Sequence, residues 1–315
     1  TVHRRTVDVN KTLDSRPIAD IGRGLQGAVA GVNITIPTGE VGSDPLIKIR
    51  GQVGSISGNN TPLILLDNVE IPSIQMVNPN DVQSISVLKD AASSSIYGSK
   101  AAFGVILITT KSGAQSDKFE ISYSNNFSWQ DPAKKIEIGG IEALQYTLDA
   151  QTNRREPMPA GGFWRISPES LEKAIEWQNL YGGKVKWNDP VVYGRDWFYD
   201  GKDKYGYRLY DGAKAMIKNW TPTMTHNLSV NGKSGKTSYN IGLGYLDQSG
   251  MSKTAKKDDF KRYNASVSVT SEINKYITVR ASSIYSDRNK RYPGIGNTTA
   301  DPWLYLYRWS PLMPM

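Results

Sequence analysis

The chain has 315 residues, 38 Lys and Arg against 30 Asp and Glu, a formal net charge of +8, and no cysteine. The lack of Cys excludes a disulfide scaffold, a thiolate metal site and a cysteine nucleophile. Mean hydropathy is −0.46 and no run of about 18 apolar residues occurs, which excludes a helical membrane span.

The basic residues are scattered, with short clusters at Lys134-Lys135, Lys256-Lys257 and Arg288-Asn289-Lys290-Arg291. Nucleic-acid binding calls for a basic stripe with interleaved aromatics on one element, and the sequence has none. The opening Thr1-Val2-His3-Arg4-Arg5 is not a signal peptide. The expectation is either a cytosolic protein or a chain that starts after a processed or missing segment.

In chain order, Asp14 or Ser15 is placed to cap a helix opened by Pro17. Ile18, Ile21, Leu25, Ala28, Val29 and Val32 fall on one face of it. Residues 46–50, 63–67, 85–88 and 105–110 read as short strands. Asn78-Pro79-Asn80-Asp81 reads as a turn leading into a helical turn, with Pro at an early position where its missing N–H costs nothing. Residues 90–97 read as a short helix stopped by Gly98. Residues 1–115 thus read as a compact α+β domain.

From residue 116 to 315 the period is two. Phe119, Ile121, Tyr123, Phe127 and Trp129 alternate with Glu120, Ser122, Ser124, Asn126 and Ser128, over the 9–11 or so residues that a tilted strand needs to cross a bilayer. The same alternation recurs at His226, Leu228 and Val230; at Tyr239, Ile241, Leu243 and Tyr245; at Tyr263, Ala265, Val267 and Val269; and at Ile277, Val279, Ala281 and Tyr285. Connections alternate long and short: 131–222 is long, 232–236 tight, 247–259 long and 272–275 tight. Outer-membrane barrels segregate loop length by end in this way. A soluble antiparallel sheet with one wet face gives the same alternation in any single strand. Trp129, Trp220, Tyr245, Tyr263 and Tyr285 fall at one end of the strands, as an interfacial aromatic girdle would; ordinary strand usage of aromatics gives the same residues.

The long connection is expected to hold helices over 141–153 and from Ser167-Pro168. It carries Trp164, Trp187, Trp197, Tyr199, Tyr205, Tyr207 and Tyr210. These rings could stack on sugars or grip peptide, or form the small core of the loop itself.

Residues 25–113 resemble the plug domain of the SusC/RagA family of TonB-dependent outer-membrane transporters. The resemblance is carried by LQGAVAGVNI from Leu25, IKIRG at 47–51, PLILLDNVEI from Pro62, and NPNDVQSISVLKDAASSSIYGSKAAFGVILITTKSG from Asn78. HNLSVNGKSGKTSYNIGLGYLDQSG from His226 and FKRYNASVSV from Phe260 look like the first barrel strands of the family. The resemblance implies an α+β plug followed by antiparallel strands of a transmembrane β-barrel of about 22 strands, incomplete here. It implies uptake across the outer membrane of a Bacteroidetes-type bacterium, with a SusD-like surface lipoprotein, TonB and outer-membrane lipid as partners. A dimer of transporter–lipoprotein pairs is a further implied partner state. The matching signature positions are Arg50, Gly51, Asp67, Asn78, Pro79, Asp81, Lys89, Asp90, Tyr97, Gly98 and Gly104.

Physical chemistry gives several of these a role of their own. Gly51 permits a sharp strand exit, and Arg50 can pair with wall carboxylates or remain a solvated strand-end charge. Asp67 can close an Asx-turn through Asn68. Asp90 sits where an N-cap carboxylate would. Asn68 stands where the family usually has Gly and tolerates the left-handed region, while Phe103 is bulky in a usually polar stretch. Five strands cannot close a barrel, so the chain is expected to be part of a longer protein.

Only His3 and His226 are present, and HExxH, Walker A and GxSxG motifs are absent. No catalytic, metal or cofactor site is expected. The expected function is nutrient import of oligosaccharide or oligopeptide. The alternative is a surface glycan-binding or outer-membrane assembly component on the same scaffold.

Overall fold

A computed structural model describes residues 5–8, 21–27, 29–35, 40–49, 61–89, 94–113, 117, 119–132, 137, 139–154, 164–186, 188–292 and 311–312. Two compact units are present. The first comprises residues 1–130, 220–250 and 257–292; the second comprises 131–219, 251–256 and 293–315.

The N-terminal part of the first unit is built on strands β1 (Arg5–Asp8), β4 (Leu63–Leu66), β5 (Val69–Glu70), β6 (Val82–Leu88) and β7 (Val105–Thr110), in the order β1-β6-β7-β4-β5. Only β4 and β7 run parallel; the other pairs are antiparallel. Helix α1 (Ile21–Leu25) and a ribbon of β2 (Val32–Thr35) and β3 (Leu46–Ile49) complete it. Ile21, Leu25, Val29, Ile34, Ile47, Ile49, Ile85 and Ile106 pack into one buried core. Alternation within β6 and β7 aims Ile85, Val87, Ile106 and Ile108 into this core, while Leu88 and Val105 on the other face pack with Leu65 and Ala101.

The described part of the first helix is shorter than expected. It ends at Leu25, and Val32 opens a strand instead. Gly27 and Gly31 both adopt positive φ, 75° and 76°, so the chain turns twice where the apolar spacing suggested continued helix. The expected Asp14, Ser15 and Pro17 signals lie outside the described residues, as do Asp90 and residues 91–93. Short 3-10 turns occupy Ile74–Met76, Pro79–Asp81, Ser95–Tyr97 and Ser99–Ala101.

The remainder of the first unit is a sheet of five long antiparallel strands: β8 (Glu120–Gln130), β12 (Thr221–Ser234), β13 (Thr237–Ser249), β14 (Asp259–Asn274) and β15 (Ile277–Arg291), ordered β15-β14-β13-β12-β8. These are the five strands expected from the period-two pattern. Gly235 and Lys236 alone separate β12 from β13, with Gly235 at φ 58°. Asn274 Oδ1 accepts from the backbone N–H of Tyr276 and Ile277 at 2.8 and 3.0 Å, closing the other short turn. Register places Ile121, Val230, Ile241 and Val267 in one cross-strand row, and Tyr123, Leu228, Leu243 and Ala265 in the next. Ile121, Tyr123, Phe127, Trp129, Leu228, Ile241, Leu243, Tyr263, Val267, Val279 and Tyr285 of this face are exposed. The opposite face carries Asn240, Arg262, Asn264, Ser266 and Ser268, all buried.

The second unit contains α2 (Ile141–Arg154), α3 (Pro168–Tyr181), a sheet of β9 (Trp164–Arg165), β10 (Trp197–Tyr199) and β11 (Lys204–Gly206) in the order β10-β11-β9, and the short α4 (Gly212–Met216). The two helices expected in the long connection are present. Ser167 and Ser170 form a reciprocal capping box with Pro168 in the first turn. Leu144, Ile166, Leu171, Ala174 and Leu312 form its apolar core. Among the described residues no helix is long and apolar enough to cross a membrane.

Candidate functional site

The polar face of the long-stranded sheet is buried over β13 and β14, while Ser122, Ser124 and Asn126 on β8 and Thr278, Arg280 and Ser282 on β15 stay exposed. The buried part is covered by residues 40–45 and 73–81 of the α+β part of the same unit. Asn78 is the pivot of this seam. Its Oδ1 accepts the Asn80 N–H at 3.2 Å and caps the 3-10 turn that Pro79 opens. This fixes the amide orientation, so Nδ2 points at the sheet and donates to Asn227 Oδ1 at 2.9 Å. One side chain thereby uses both of its ends.

Neighbouring contacts continue the seam. Arg262 donates from Nη1 to Gln75 O at 3.0 Å, and Asn264 from Nδ2 to Met76 O at 2.8 Å. Ser73 Oγ accepts from Gln75 N at 3.1 Å and from Arg288 Nη1 at 2.7 Å, and donates to Asp44 Oδ1 at 2.5 Å. Lys290 pairs with Glu40 and donates to Ser43 Oγ at 3.1 Å. Val41 packs with Leu246 and Phe260, both on the inward parity of their strands.

Two glycines of β13 make room for the turn. A Cβ on Gly244 would lie 2.4 Å from Asn78 Nδ2, and one on Gly242 would lie 2.5 Å from both Asp81 Oδ1 and Ser266 Oγ. A side chain at either place would displace the Asn78 amide or the Asp81 carboxylate and Ser266 hydroxyl from where they stand. Burial pushes the Asp81 carboxyl up from its ordinary range; the Ser266 hydroxyl, Lys111 and Arg262 oppose this without cancelling it. Its carbonyl accepts from Lys111 N at 2.8 Å, tying the turn to the end of β7.

The structure therefore gathers Asn78, Pro79 and Asp81 of the expected signature into one site. The others lie apart. Asp67 and Asn68 are the two central residues of the β4–β5 hairpin, with φ 47° and 70°; positive φ at both is what the favoured two-residue hairpin turn requires. The Asp67 carboxylate does not serve the expected Asx-turn: it accepts from Thr110 N at 3.0 Å and from Thr110 Oγ1 at 2.5 Å. Gly98 and Gly104 hold φ 72° and 95°, and a Cβ on Gly104 would stand 2.7 Å from Ile49 Cδ1. Tyr97 packs beside Leu65, Leu88 and Val105, and Lys89 Nζ donates to Ala30 O. Arg50, Gly51 and Asp90 lie outside the described residues. Sequence reasoning missed Ser73, Asn227, Gly242, Gly244, Arg262, Asn264, Ser266, Arg288 and Lys290. Their signal was present as parity: all six on β12 to β14 except Asn227 occupy even positions, opposite the apolar odd ones, and read there as solvent-facing.

In the second unit the expected aromatics divide. Tyr207 and Tyr210 are buried with Trp177, and burial, chiefly, pushes the Tyr210 phenol up to about 12. Asp196 is fully buried and central. It accepts from Trp177 Nε1 and Val192 N at 2.9 Å each and from Arg195 Nε and Nη2 at 2.8 Å each, with Arg208 Nη1 at 3.4 Å. Burial alone would raise its carboxyl; the Arg195, Val192 and Trp177 hydrogen bonds outweigh that and hold it at about 2. Tyr193, Phe198 and Tyr199 remain exposed, and the Tyr199 hydroxyl donates to Gly201 O at 2.7 Å. Trp197 meets Tyr193 edge-on at 5.0 Å, and Tyr205 pairs with Arg165 in the sheet. The Trp164 backbone lies in β9; its side chain and Trp187 are outside the described residues.

A sheet with one exposed apolar face, whose polar face is hydrogen-bonded at its centre to a small α+β core, is the arrangement of a plug against a membrane barrel wall. The TonB-dependent Receptor Plug Domain family matches residues 3–105. The chain is 29% identical over 296 residues to TonB-dependent receptor P26 of Formosa agariphila, covering 91% of this chain and 25% of that protein. It is 27% identical over 254 residues to TonB-dependent receptor SusC of Bacteroides thetaiotaomicron, covering 78% and 20% respectively. The solved RagAB peptide transporter superposes with a TM-score of 0.66 at 27% identity, over 92% of this chain and 31% of that one. The chain thus spans a quarter or less of these curated relatives. Residues 3–105 carry a TonB-dependent receptor plug domain, and the chain as a whole is similar to the plug and first barrel strands of SusC- and RagA-type receptors. The relatives bear the names of receptors and transporters, not of enzymes.

Proposed function

We propose that the chain is the plug and first wall segment of an outer-membrane transporter that imports oligosaccharides or oligopeptides. The single observation that carries this reading is the two-faced sheet. Its outer face presents Ile121, Leu228, Ile241, Leu243 and Val267 without cover, and the plug is hydrogen-bonded to the middle of its inner face. Lipid is the solvent that suits such an outer face, and an occluded lumen suits regulated passage. The rings of His226 and Tyr245, and of Tyr245 and Tyr263, lie 6.3 and 5.0 Å apart near the end of the strands that carries the long connections, in keeping with an interfacial girdle. In this reading a SusD-like lipoprotein captures cargo, TonB supplies the energy to displace part of the plug, and transporter–lipoprotein pairs associate as dimers. The RagAB peptide transporter among the similar structures supports cargo of peptide type.

Exposed Tyr193, Phe198 and Tyr199, with Trp197 beside them, are the contact surface proposed for cargo or partner. The same patch is what a surface glycan-binding or assembly role would use. Deletion of the gene separates the two. Transport predicts that the native polypeptide is found in the outer-membrane fraction, well above 34.9 kDa, and that deletion abolishes uptake of a radiolabelled tryptic digest of casein or a partial hydrolysate of starch. Unchanged uptake of both with loss of surface adhesion favours the alternative, and recovery in the soluble fraction rejects both.

A further inference from the structure

The plug does not touch the wall evenly. Among the described residues its polar contacts concentrate in the nine residues Ser73–Asp81, with Glu40 and Ser43 meeting Lys290 besides, and they are of a kind that resists sliding. Gln75 and Met76 offer backbone carbonyls to Arg262 and Asn264, so these bonds do not depend on plug side chains. Asn78 and Asp81 occupy the space that Gly244 and Gly242 leave. Arg262, Asn264 and Ser266 are buried beneath the turn, where losing a partner costs far more than the bond is worth at the surface. The turn is also tied backward, through Lys111 N to Asp81 O at 2.8 Å, to the segment that leads into the wall. By contrast, the β4–β5 hairpin bonds within the plug, Asp67 to Thr110, and its Glu70 meets Lys100 in an exposed pair.

We propose that Ser73–Asp81 is the fixed footing of the plug: it stays seated in the Gly242–Gly244 notch while other parts of the plug are displaced, and it is the last plug segment to leave the wall. Asn78, Asp81, Arg262 and Asn264 are then positioning residues for transport. The transport half of this statement rests on the function proposed above; the order of release does not.

The seam offers its own clamp. An ideal Cβ at Gly244 lies 3.2 Å from Asn78 Cγ, and one at Gly242 lies 3.1 Å from Asp81 Cγ. A disulfide with an S–S bond of about 2.05 Å sets its Cβ about 3 Å from the opposite sulfur. Asn78→Cys with Gly244→Cys, and Asp81→Cys with Gly242→Cys, are therefore placed to cross-link, and this chain has no cysteine to interfere.

The experiment uses the full-length protein in two arms. In detergent micelles under rising urea, hydrogen–deuterium exchange is followed by segment. Amides of 74–82 are expected to lose protection last among plug segments. Gly244→Ala, or Asn78→Ala if the first does not assemble, is expected to move them at least tenfold faster with β12–β15 unchanged. Exchange of 74–82 together with or before β2–β3 overturns the proposal. In cells, the oxidised double-cysteine proteins are expected to keep at least half the uptake of casein digest or starch hydrolysate shown by the reduced proteins. Loss of uptake on oxidation that reductant restores overturns the fixed footing. If the parent protein takes up neither probe, the transport reading fails and the exchange arm still decides the order of release.

Discussion

Asn78 and Asn227, 149 residues apart in sequence, share a side-chain hydrogen bond of 2.9 Å that joins the plug to the barrel wall. The bond depends on a local event, because the 3-10 cap at Asn80 consumes the Asn78 oxygen and leaves only the nitrogen to face the wall.

Asn78→Asp separates those two uses. The cap survives, but a carboxylate oxygen then faces Asn227 Oδ1 with no proton between them. We expect a loss of roughly 1–3 kcal/mol in plug seating, read as a lower urea concentration for plug release with the barrel intact. Asn227→Asp is expected to be much milder, since it retains an acceptor for the Asn78 amide.

Gly244→Ala forces a methyl to within 2.4 Å of Asn78 Nδ2. The strain expected of such overpacking is about 1–3 kcal/mol. Adding Asn78→Ala removes the obstructing amide, so the double variant should lose less than the two single losses combined. Strict additivity in the same urea assay would show that the two side chains do not meet.

Acid should favour seating at Asp81. Its folded carboxyl is raised by burial above the unfolded value of 3.8, so its contribution is fully present below that value and fades as pH rises through the folded one. Asp81→Asn should therefore hold the plug at pH 7 at least as firmly as the parent. The difference between the two release midpoints should shrink toward pH 4.

Asp196 behaves in the opposite sense. Held at about 2 rather than 3.8, it contributes on the order of 2 kcal/mol to the second unit above pH 4, a contribution lost as pH falls toward 2. Asp196→Ala leaves Arg208, 1% exposed, without its carboxylate. A loss of about 3–5 kcal/mol is expected for breaking such a buried pair. Limited proteolysis of the full-length protein should find new cleavage within 164–217 and none in β12–β15.

A charge on the outer face tests the membrane directly. Ile241 stands in the cross-strand row of Ile121, Val230 and Val267. Ile241→Arg should cost about 2–4 kcal/mol if that row lies near the bilayer midplane, measured by refolding into lipid vesicles. A change under 0.5 kcal/mol would be the surface value for a soluble protein.

The long strands were legible because alternation is a local signal: each of the five could be read from its own residues. A turn at Asp67-Asn68 and a helical turn opened by Pro79 were legible for the same reason, but not the hairpin the first one closes nor the reach of the Asp67 carboxylate to Thr110. The β2 strand was not, because Ile21, Leu25, Ala28, Val29 and Val32 satisfy helical spacing, and Gly27 and Gly31 outweigh it only through their φ. The seam was hidden by a subtler ambiguity. An inward Arg262 or Asn264 satisfies the same alternation whether it meets water or another part of the chain. Arg288 and Lys290 looked like a surface cluster until Ser73, Ser43 and Glu40 were found opposite them. The Asp196 cluster draws on residues from 177 to 208 that no short-range pattern connects.

The glycine notch has a bearing on modularity. Plug and wall look like interchangeable parts, a stopper and a tube. Yet Asn78 and Asp81 fill the very volumes that Gly244 and Gly242 vacate, so the two halves are cut as one fitted pair. A plug grafted from a distant receptor would need its own turn to match that notch, or β13 would have to travel with it. The unit that can be exchanged is therefore the plug together with the third strand of its wall.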